Sequence, residues 1–303
     1  MNYPLKPLIN LGTYAVLGVA VVLSGCGGES SLSSGSSTGE VSMDITDAPT
    51  DQFSEVNIVF TGIILKPADD EQIEFTFEEP REIDLLSLQG GSVETLLDGE
   101  EVAAGQYSWV RLTLDVDQSH VIENGLQKKL FIPSGAQTGL KLVGGFTVAA
   151  DSTSQYTIDF DVRKSVVNPQ GNPQGADYFL KPALRLVSNE EVGAIAGTVD
   201  ASTVIQTQCD NVAEYTGMVY VFEGFNAALD DLGSTNEPLM TVPVSDEQVP
   251  GEYNYKAAFL TEGNYTVSYS CTPDDNDQNE ALVFEESQNM SVEADVTSRV
   301  DFE

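Results

Sequence analysis

The stretch QYSWVRLTLDVD, residues 106–117, alternates apolar and polar side chains from its fifth residue onward. Val110, Leu112, Leu114 and Val116 recur at every second position. A period of two places one set of side chains on each face of an extended chain. The stretch therefore predicts a β-strand with one face in a core and the other in water.

The same alternation recurs along the chain, and Gly or Pro stands in nearly every gap. Residues 155–162 predict a second strand, with Tyr156, Ile158, Phe160 and Val162 inward and Asp159 and Asp161 outward. Residues 92–97 predict one helical turn. Further strands are predicted at 55–65, 73–77, 82–88, 126–132, 140–148, 178–187, 194–199, 217–223, 239–244, 253–259, 264–270, 281–284 and 296–302.

Short strands separated by turn residues are typical of β-sandwiches and barrels, not of a βαβ fold. A polar break, SNEEV at 188–192, separates two sets of such strands. We therefore predict an all-β protein with two β-sandwich domains, immunoglobulin-like or transthyretin-like, at 41–190 and 193–303.

The charge of the chain excludes some classes of partner. Its 303 residues contain 13 Lys and Arg against 48 Asp and Glu, a formal net charge of −35. Such a polyanion repels phosphate backbones and lacks the basic footprint of nucleic-acid binding or of binding to anionic lipid. The single histidine, His120, excludes poly-His metal sites, and we expect it to be a solvated loop residue.

The N-terminus predicts export and lipid anchoring. An apolar run at 8–23 is shorter than the ~20 residues of a membrane-spanning helix, and it ends in the lipobox-like Leu23-Ser24-Gly25-Cys26. We expect residues 1–25 to be a lipoprotein signal peptide; an uncleaved anchor or an ordinary signal peptide are the alternatives. Cys26 would carry the lipid, and several acyl chains anchor firmly to a membrane.

Residues 26–40 then form a Gly/Ser-rich flexible tether. Gly27 stands where many lipoproteins retained in the inner membrane have Asp. This resemblance favours the outer membrane of a Gram-negative bacterium, with the periplasmic or surface-exposed face left open.

Two cysteines remain, Cys209 and Cys271, both in the second domain. In an oxidising compartment such a pair is expected to form a disulfide. Two buried free thiols are the alternative.

An acidic segment of the second domain has oxygen donors at alternate positions. Asp275, Asp277 and Asn279 resemble the start of a calcium loop, and Glu286 is twelfth from Asp275. Glu280 stands where the EF-hand needs Gly, so the prediction is a Ca²⁺ site in a loop between strands. A solvated acidic turn is the competing interpretation.

Nothing in the sequence indicates catalysis. It has no G-x-S-x-G motif, and 48 acidic residues make chance carboxylate pairs inevitable. We expect no enzyme activity, and a hydrolase is a remote alternative.

Several segments between residues 41 and 188 resemble those of a bacterial and archaeal family known as domain of unknown function 4382. They are VSMDITDAP at 41–49, VNIVFTGIIL at 56–65, YSWVRLTL at 107–114, YTIDFDVRKSV at 156–166 and YFLKPALRLV at 178–187. The resemblance implies a β-rich exported domain and assigns no activity. Residues 193–303 resemble, more loosely, transthyretin-like or carboxypeptidase-regulatory modules, through GAIAGTV at 193–199 and EGNYTV at 262–267.

These features predict a non-enzymatic binding, adhesion or structural module of the cell envelope, with a surface protein or polysaccharide as its partner. A carbohydrate-binding accessory protein is the alternative. Exposed aromatic rings in one plane at Tyr107, Trp109 and Tyr156 would favour the alternative, whereas their burial would favour the adhesion module.

Overall fold

The structure is a computed structural model. It describes residues 37–48, 52–132, 139–169, 171, 175–181, 183–205, 209, 216–246, 248–274 and 278–303. Residues Ser36–Glu303 form one compact unit. Of the helices described, none has the length and apolar character needed to cross a membrane.

The described chain is almost entirely β-structure, as predicted. Its strands are β1 (Thr38–Ala48), β2 (Glu55–Pro67), β3 (Ile73–Asp84), β4 (Glu94–Ala103), β5 (Gly105–Leu114), β6 (His120–Glu123), β7 (Leu126–Phe131), β8 (Leu140–Val148), β9 (Thr153–Asp161), β10 (Val166–Val167), β11 (Tyr178–Leu180), β12 (Leu184–Ser188), β13 (Val192–Val199), β14 (Met218–Glu223), β15 (Met240–Pro243), β16 (Tyr253–Thr261), β17 (Gly263–Ser270), β18 (Gln288–Val292) and β19 (Thr297–Arg299). The helices are α1 (Val162–Ser165), α2 (Ala201–Val204) and two 3-10 helices at Leu85–Gly91 and Asn189–Glu191.

The first half of the chain is a sandwich of two sheets. A four-stranded sheet has the order β12-β9-β1-β4, and an eight-stranded sheet has the order β10-β11-β7-β6-β2-β5-β8, with β3 also paired to β2. The inward-facing side chains of both sheets share one apolar core that includes Met43, Phe60, Leu112 and Phe160. The alternation that predicted the strands thus faces a common interior.

The first strand closes this sandwich over a long distance in the sequence. β1 pairs with β9 in parallel, from Glu40 opposite Thr153 to Ala48 opposite Asp161, and with β4 in antiparallel orientation on its other side. The four-stranded sheet therefore cannot form until both partners have been synthesised.

The second half is a smaller sandwich. A three-stranded sheet of order β16-β13-β19 faces a four-stranded sheet of order β15-β14-β17-β18. Its core includes Ile195, Val221, Val267 and Phe302. Each half thus has its own core, although both belong to one compact unit, and the predicted division at 41–190 and 193–303 stays a prediction.

Residues 82–97 differ from the sequence prediction. The strand predicted at 82–88 ends at Asp84, where a 3-10 helix begins, and the helical turn predicted at 92–97 is instead the start of β4. Asp84 accepts hydrogen bonds from the main-chain nitrogens of Leu86 and Val56, which caps the 3-10 helix. Gly90 and Gly91, both at positive φ, then turn the chain into β4.

Of two other predicted strands, the one at 281–284 was wrong and the one at 178–187 was right in part. Residues 281–284 are not a strand, because Leu282 and Phe284 pack on the outer face of β14 and the strand follows at β18. The strand predicted at 178–187 is divided between β11 and β12, which lie in different sheets. Asp159, predicted to face water, is 6% exposed and bonded to Arg185.

A buried arginine joins the two halves. Arg163 in α1 is 4% exposed. Its Nη1 donates to Oγ1 of Thr241 in β15 at 2.7 Å and lies 3.0 Å from Sδ of Met218 in β14. Beside it, Nζ of Lys164 lies 3.1 Å from Oε2 of Glu237. The first sandwich is thus fastened to one edge of the second.

Candidate functional site

The outer face of β5 and β8 has a cluster of cationic and aromatic side chains. Arg111 on β5 is paired with Lys141 on β8, and Trp109 is paired with Val143. Val110, Leu112 and Leu142, which alternate with these residues, are buried in the first core. Trp109, Arg111 and Lys141 therefore lie on the opposite, solvent-facing side of the sheet, and we call them the Trp109 cluster.

Two cations interact with one ring in this cluster. The Arg111 Cζ atom is 4.7 Å and the Lys141 Nζ atom 4.5 Å from the centroid of the Trp109 ring, within the range of cation–π attraction. Within the described part of the chain, neither cation makes an ion pair, and the buried Nε of Arg111 has no hydrogen-bond acceptor. The cluster thus presents positive charge that is not neutralised by any ion pair among the residues that the structure describes.

A β-bulge places Trp109 on the outer face. The register between β5 and β8 shifts between the pair Tyr107–Phe146 and the pair Trp109–Val143, where Gly144 and Gly145 of β8 stand opposite Ser108 of β5, so that β8 has one extra residue. Such a bulge re-aims the side chains on either side of it. On its other side β5 itself has an extra residue, Ser108, opposite the step from Lys66 to Pro67 of β2. Tyr107 therefore points into the core although it lies only two residues before Trp109.

The three aromatic residues do not form a flat surface. Tyr107 is 2% exposed and its ring stacks on Phe146 at 4.7 Å. The half-buried Tyr156 lies in the other sheet, where its hydroxyl donates to the carbonyl of Thr147 at 2.6 Å. Tyr107 is thus buried, and the half-buried Trp109 and Tyr156 lie in different sheets, so the three rings do not form one plane.

A known protein family matches the half of the chain that contains the Trp109 cluster. Residues 38–182 match the family model of a domain of unknown function (DUF4382). These residues form a DUF4382 domain. The family carries no assigned activity in its description, so the function of the DUF4382 domain has to be argued from its surface.

Several solved structures of bacterial proteins resemble the chain at low identity. A leucine-rich repeat protein from Bacteroides thetaiotaomicron has 10% identity and a TM-score of 0.22, with 88% of this chain and 26% of that chain covered. The TIE protein of Bacillus anthracis has 10% identity and a TM-score of 0.20, with 88% and 33% covered. The minor pilin GBS52 of Streptococcus agalactiae has 8% identity and a TM-score of 0.20, with 86% and 94% covered.

The chain thus spans about a quarter to a third of the first two proteins. At these TM-scores the likenesses carry no argument about function. No curated protein matches the chain.

His120 of the DUF4382 domain is half-buried at the start of β6. Its Nδ1 lies 2.9 Å from the carbonyl oxygen of Gln118, and its Nε2 lies 3.5 Å from Nδ2 of Asn57. These contacts hold the imidazole against the main chain and an amide, not against a hydroxyl or thiol nucleophile.

The predicted disulfide is present in the second half. Cys209 and Cys271 are bonded, with their Cα atoms 5.1 Å apart, inside the usual range of about 4.4–6.8 Å. Cys271 follows β17 directly and is 4% exposed, so the bridge fastens the region of Cys209 to the second core. Cys26 and the lipobox lie outside the described residues, and lipidation stays a prediction.

The predicted calcium loop is described only in part. Asp275 and Asp277 lie outside the described residues, whereas Asn279 and Glu286 are both exposed. Among the residues that the structure describes, no three acidic, histidine or cysteine side chains converge as a metal cluster. Calcium binding by this loop therefore stays a prediction.

Sequence reasoning missed Arg111 and Lys141 as partners of Trp109. Residues 109 and 111 are two positions apart on one predicted strand, and residues i and i+2 lie on the same face of a strand. The sequence could therefore have placed Trp109 and Arg111 side by side. Lys141, which is 30 residues farther along the chain, could be placed beside them only by knowing that β5 pairs with β8.

Proposed function

We propose that the protein is a non-enzymatic adhesion module of the cell envelope, held at the outer membrane by lipid on Cys26, and that it binds an acidic surface polymer through the Trp109 cluster. The observation that carries this proposal is the pair of cations on the ring of Trp109 without an acidic partner. In a chain with 48 acidic and 13 basic residues, two cations that share one aromatic ring are a local concentration of positive charge.

The chemistry of the cluster suits a carboxylate-bearing or sulfate-bearing polymer. A guanidinium binds planar anions through paired hydrogen bonds, and the terminal nitrogens of Arg111 lie on the solvent-facing side of the sheet beside Trp109. Trp and Arg are also the residue types most enriched among energetically dominant interface positions. The overall negative charge would oppose a polyanion at long range, so binding should be short-range and sensitive to salt.

Stacking of a neutral sugar is a poorer fit to this geometry. The face of an aromatic ring that binds a sugar has to be accessible, whereas Trp109 is half-buried and in contact with two cations. A neutral polymer therefore distinguishes the two kinds of binding.

Affinity electrophoresis in EDTA tests the binding surface. The purified chain should be retarded in native gels containing hyaluronate, a uronic-acid polymer, and not in gels containing hydroxyethyl cellulose. Trp109→Ala and the double variant R111Q/K141Q should run unretarded. The matched control K128Q/K129Q removes two positive charges from β7, away from the cluster, and should keep the retardation.

Two results would contradict the proposal that the Trp109 cluster binds the acidic polymer. An unretarded parent chain would show that the cluster does not bind the acidic polymer. Equal retardation of the parent, R111Q/K141Q and K128Q/K129Q would show that the cluster is not the binding surface. Retardation by the cellulose ether that Trp109→Ala abolishes would support the carbohydrate-binding alternative instead.

Fractionation of cells tests the anchor separately. The protein should sediment with outer membranes, with an acylated mature chain beginning at Cys26, and Cys26→Ser should release it into the soluble fraction. A Cys26→Ser variant that still sediments with outer membranes would contradict the lipid anchor without affecting the surface argument.

A further inference from the structure

The second sandwich contains two buried carboxylates that the adhesion surface does not use. Asp231, in the irregular segment between β14 and β15, is 0% exposed, and Asp274, just after Cys271, is 8% exposed. Buried acidic residues are rare unless they are paired or bound to a metal. Both residues therefore need a physical explanation.

Each carboxylate uses one of its two oxygens for hydrogen bonds. Oδ2 of Asp274 accepts from the hydroxyl of Tyr220 at 3.0 Å and from the main-chain nitrogen of Leu232 at 3.2 Å. Oδ2 of Asp231 accepts from the main-chain nitrogen of Glu280. The Oδ1 atoms of Asp231 and Asp274 are both buried and, within the described structure, have no hydrogen-bond donor.

The two carboxylates lie close enough to influence each other. Leu232, whose nitrogen binds Asp274, is the residue after Asp231. Burial raises the pKa of Asp274, whereas the hydrogen bond from Leu232, the guanidinium of Arg163 and the hydrogen bond from Tyr220 lower it. The Asp231 carboxylate raises it by the smallest of these effects. One nearby guanidinium balances only one of the two negative charges.

An uncompensated buried carboxylate oxygen is unfavourable, because it has lost water without gaining a partner. A divalent cation would supply the missing charge and contact both unused oxygens. The donors are carboxylate oxygens, and Cys271 is held in the disulfide, so the set suits a hard cation and not zinc. Calcium takes 6–8 oxygens in irregular geometry and completes its shell with main-chain carbonyls and water, whereas magnesium demands a stricter octahedron.

We propose that Asp231 and Asp274 bind a calcium ion through their Oδ1 atoms, with main-chain carbonyls and water as the remaining ligands. This pair is distinct from the predicted loop ligands Asp275, Asp277, Asn279 and Glu286. The ion would fasten the segment at Asp231 to the disulfide-bonded end of β17.

Thermal unfolding of the full chain tests the proposal, with Ca²⁺ or Mg²⁺ as the added ion. A ligand at 100 times its Kd should raise the Tm of a chain of this size by roughly 5 °C. Millimolar Ca²⁺ should produce such a shift and Mg²⁺ a smaller one. Asp231→Asn and Asp274→Asn should each abolish the Ca²⁺ shift.

The same variants should behave differently without calcium. An amide of the same shape carries no charge to desolvate, so Asp274→Asn should unfold at the same temperature as the parent in EDTA or at a higher one. A Tm in EDTA that is equal to or higher than the parent's would show that the variant is folded, so that its loss of the Ca²⁺ shift reflects loss of the ion site. Asp295→Asn, which removes an exposed carboxylate from the same half, is the matched control and should keep the full shift.

Equilibrium dialysis with radioactive Ca²⁺ gives a second measurement. The parent should bind one ion tightly, and both Asn variants should lose it. The proposal is overturned if the parent shows no selective response to Ca²⁺, which would mean that the pair holds a proton instead, or if Asp231→Asn and Asp274→Asn keep the shift while D275N/D277N loses it.

Discussion

At the scale of single residues, the ion pair between Asp159 and Arg185 shows how the first sandwich pairs a buried charge. Arg185 Nε lies 2.5 Å from Asp159 Oδ2, and the side chain of Asp159 is 8% exposed against 28% for Arg185. Arg185→Met leaves the carboxylate buried without its cation. We expect the free energy of unfolding to fall by about 2–3 kcal/mol, below the range for fully buried pairs because Arg185 is partly solvated.

Urea denaturation measures this loss. Adding Asp159→Asn to Arg185→Met should recover most of it, because the buried charge is then gone. The exposed pair Arg299–Asp301 supplies the control, and Arg299→Met should leave the urea midpoint unchanged within error. Equal losses for Arg185→Met and Arg299→Met would contradict the role of burial.

A second residue-scale prediction concerns alkaline pH. Burial and then the hydrogen bond donated to Oε1 of Glu123, at 2.6 Å, raise the pKa of Tyr178 to about 12. The unfolded chain releases this proton near pH 10, before the folded chain does. The stabilising effect is therefore complete below pH 10 and is lost as the pH rises from 10 toward 12.

The urea midpoint should consequently fall between pH 9 and pH 11, and Tyr178→Phe should reduce the fall. Part of it will remain, because burial also raises the pKa of Tyr255 and of Tyr269. Tyrosinate absorbance at 295 nm follows the titration itself. A Tyr178→Phe variant with the parent's pH profile would show that Tyr178 does not contribute.

At the scale of elements, β13 and β19 lie side by side in parallel in the second sandwich. A Cβ atom at Gly197 of β13 would overlap the carbonyl oxygen of Val300, just after β19. Gly197→Ala should therefore lower the free energy of unfolding by at least about 2 kcal/mol. Gly144→Ala has no atom within 4 Å of the new Cβ and should change it by less than about 0.5 kcal/mol.

Chemical denaturation of both variants checks this prediction. If Gly144→Ala destabilised as much as Gly197→Ala, the close approach of β13 to Val300 would not be the cause.

The elements also show what could be predicted from the sequence. Residues 140–148 were predicted as a strand and are β8, because the alternation and the flanking glycines are local signals. The strand predicted at 281–284 is absent, because its apolar residues pack on the second sandwich without pairing in a sheet. Phe284, for example, packs edge-on against Tyr220 with the ring centroids 5.1 Å apart.

The Trp109 cluster has a similar explanation. Its composition was visible in residues 109 and 111, but the bulge at Gly144–Gly145 that sets the pairing with Lys141 is a property of two strands together. Periodicity reports which face a side chain takes, and it does not report which strand lies beside it.

At the scale of the whole molecule, we predict that Arg163 couples the unfolding of the two sandwiches. Its guanidinium is buried and contacts both β14 and β15 of the second half. Arg163→Met should uncouple the halves, so that one calorimetric transition becomes two, because interfaces between domains are otherwise easily separated. Lys164→Met alters the neighbouring, more exposed ion pair and should keep a single transition.

Differential scanning calorimetry of the two variants and the parent decides this prediction. A single sharp transition in Arg163→Met, with equal calorimetric and van 't Hoff enthalpies, would mean that other contacts couple the halves.

The parallel pairing of β1 with β9 has a mechanical consequence. β1 is the strand nearest the predicted membrane tether, and it is held on both sides, by β9 and by β4. A pull on Thr38 along the strand loads the hydrogen bonds from Glu40 to Ala48 in shear, so that they resist together instead of parting one after another. A force on the proposed lipid anchor would thus enter the domain through the β1–β9 pair, in the sheet opposite β5 and β8, which carry the Trp109 cluster.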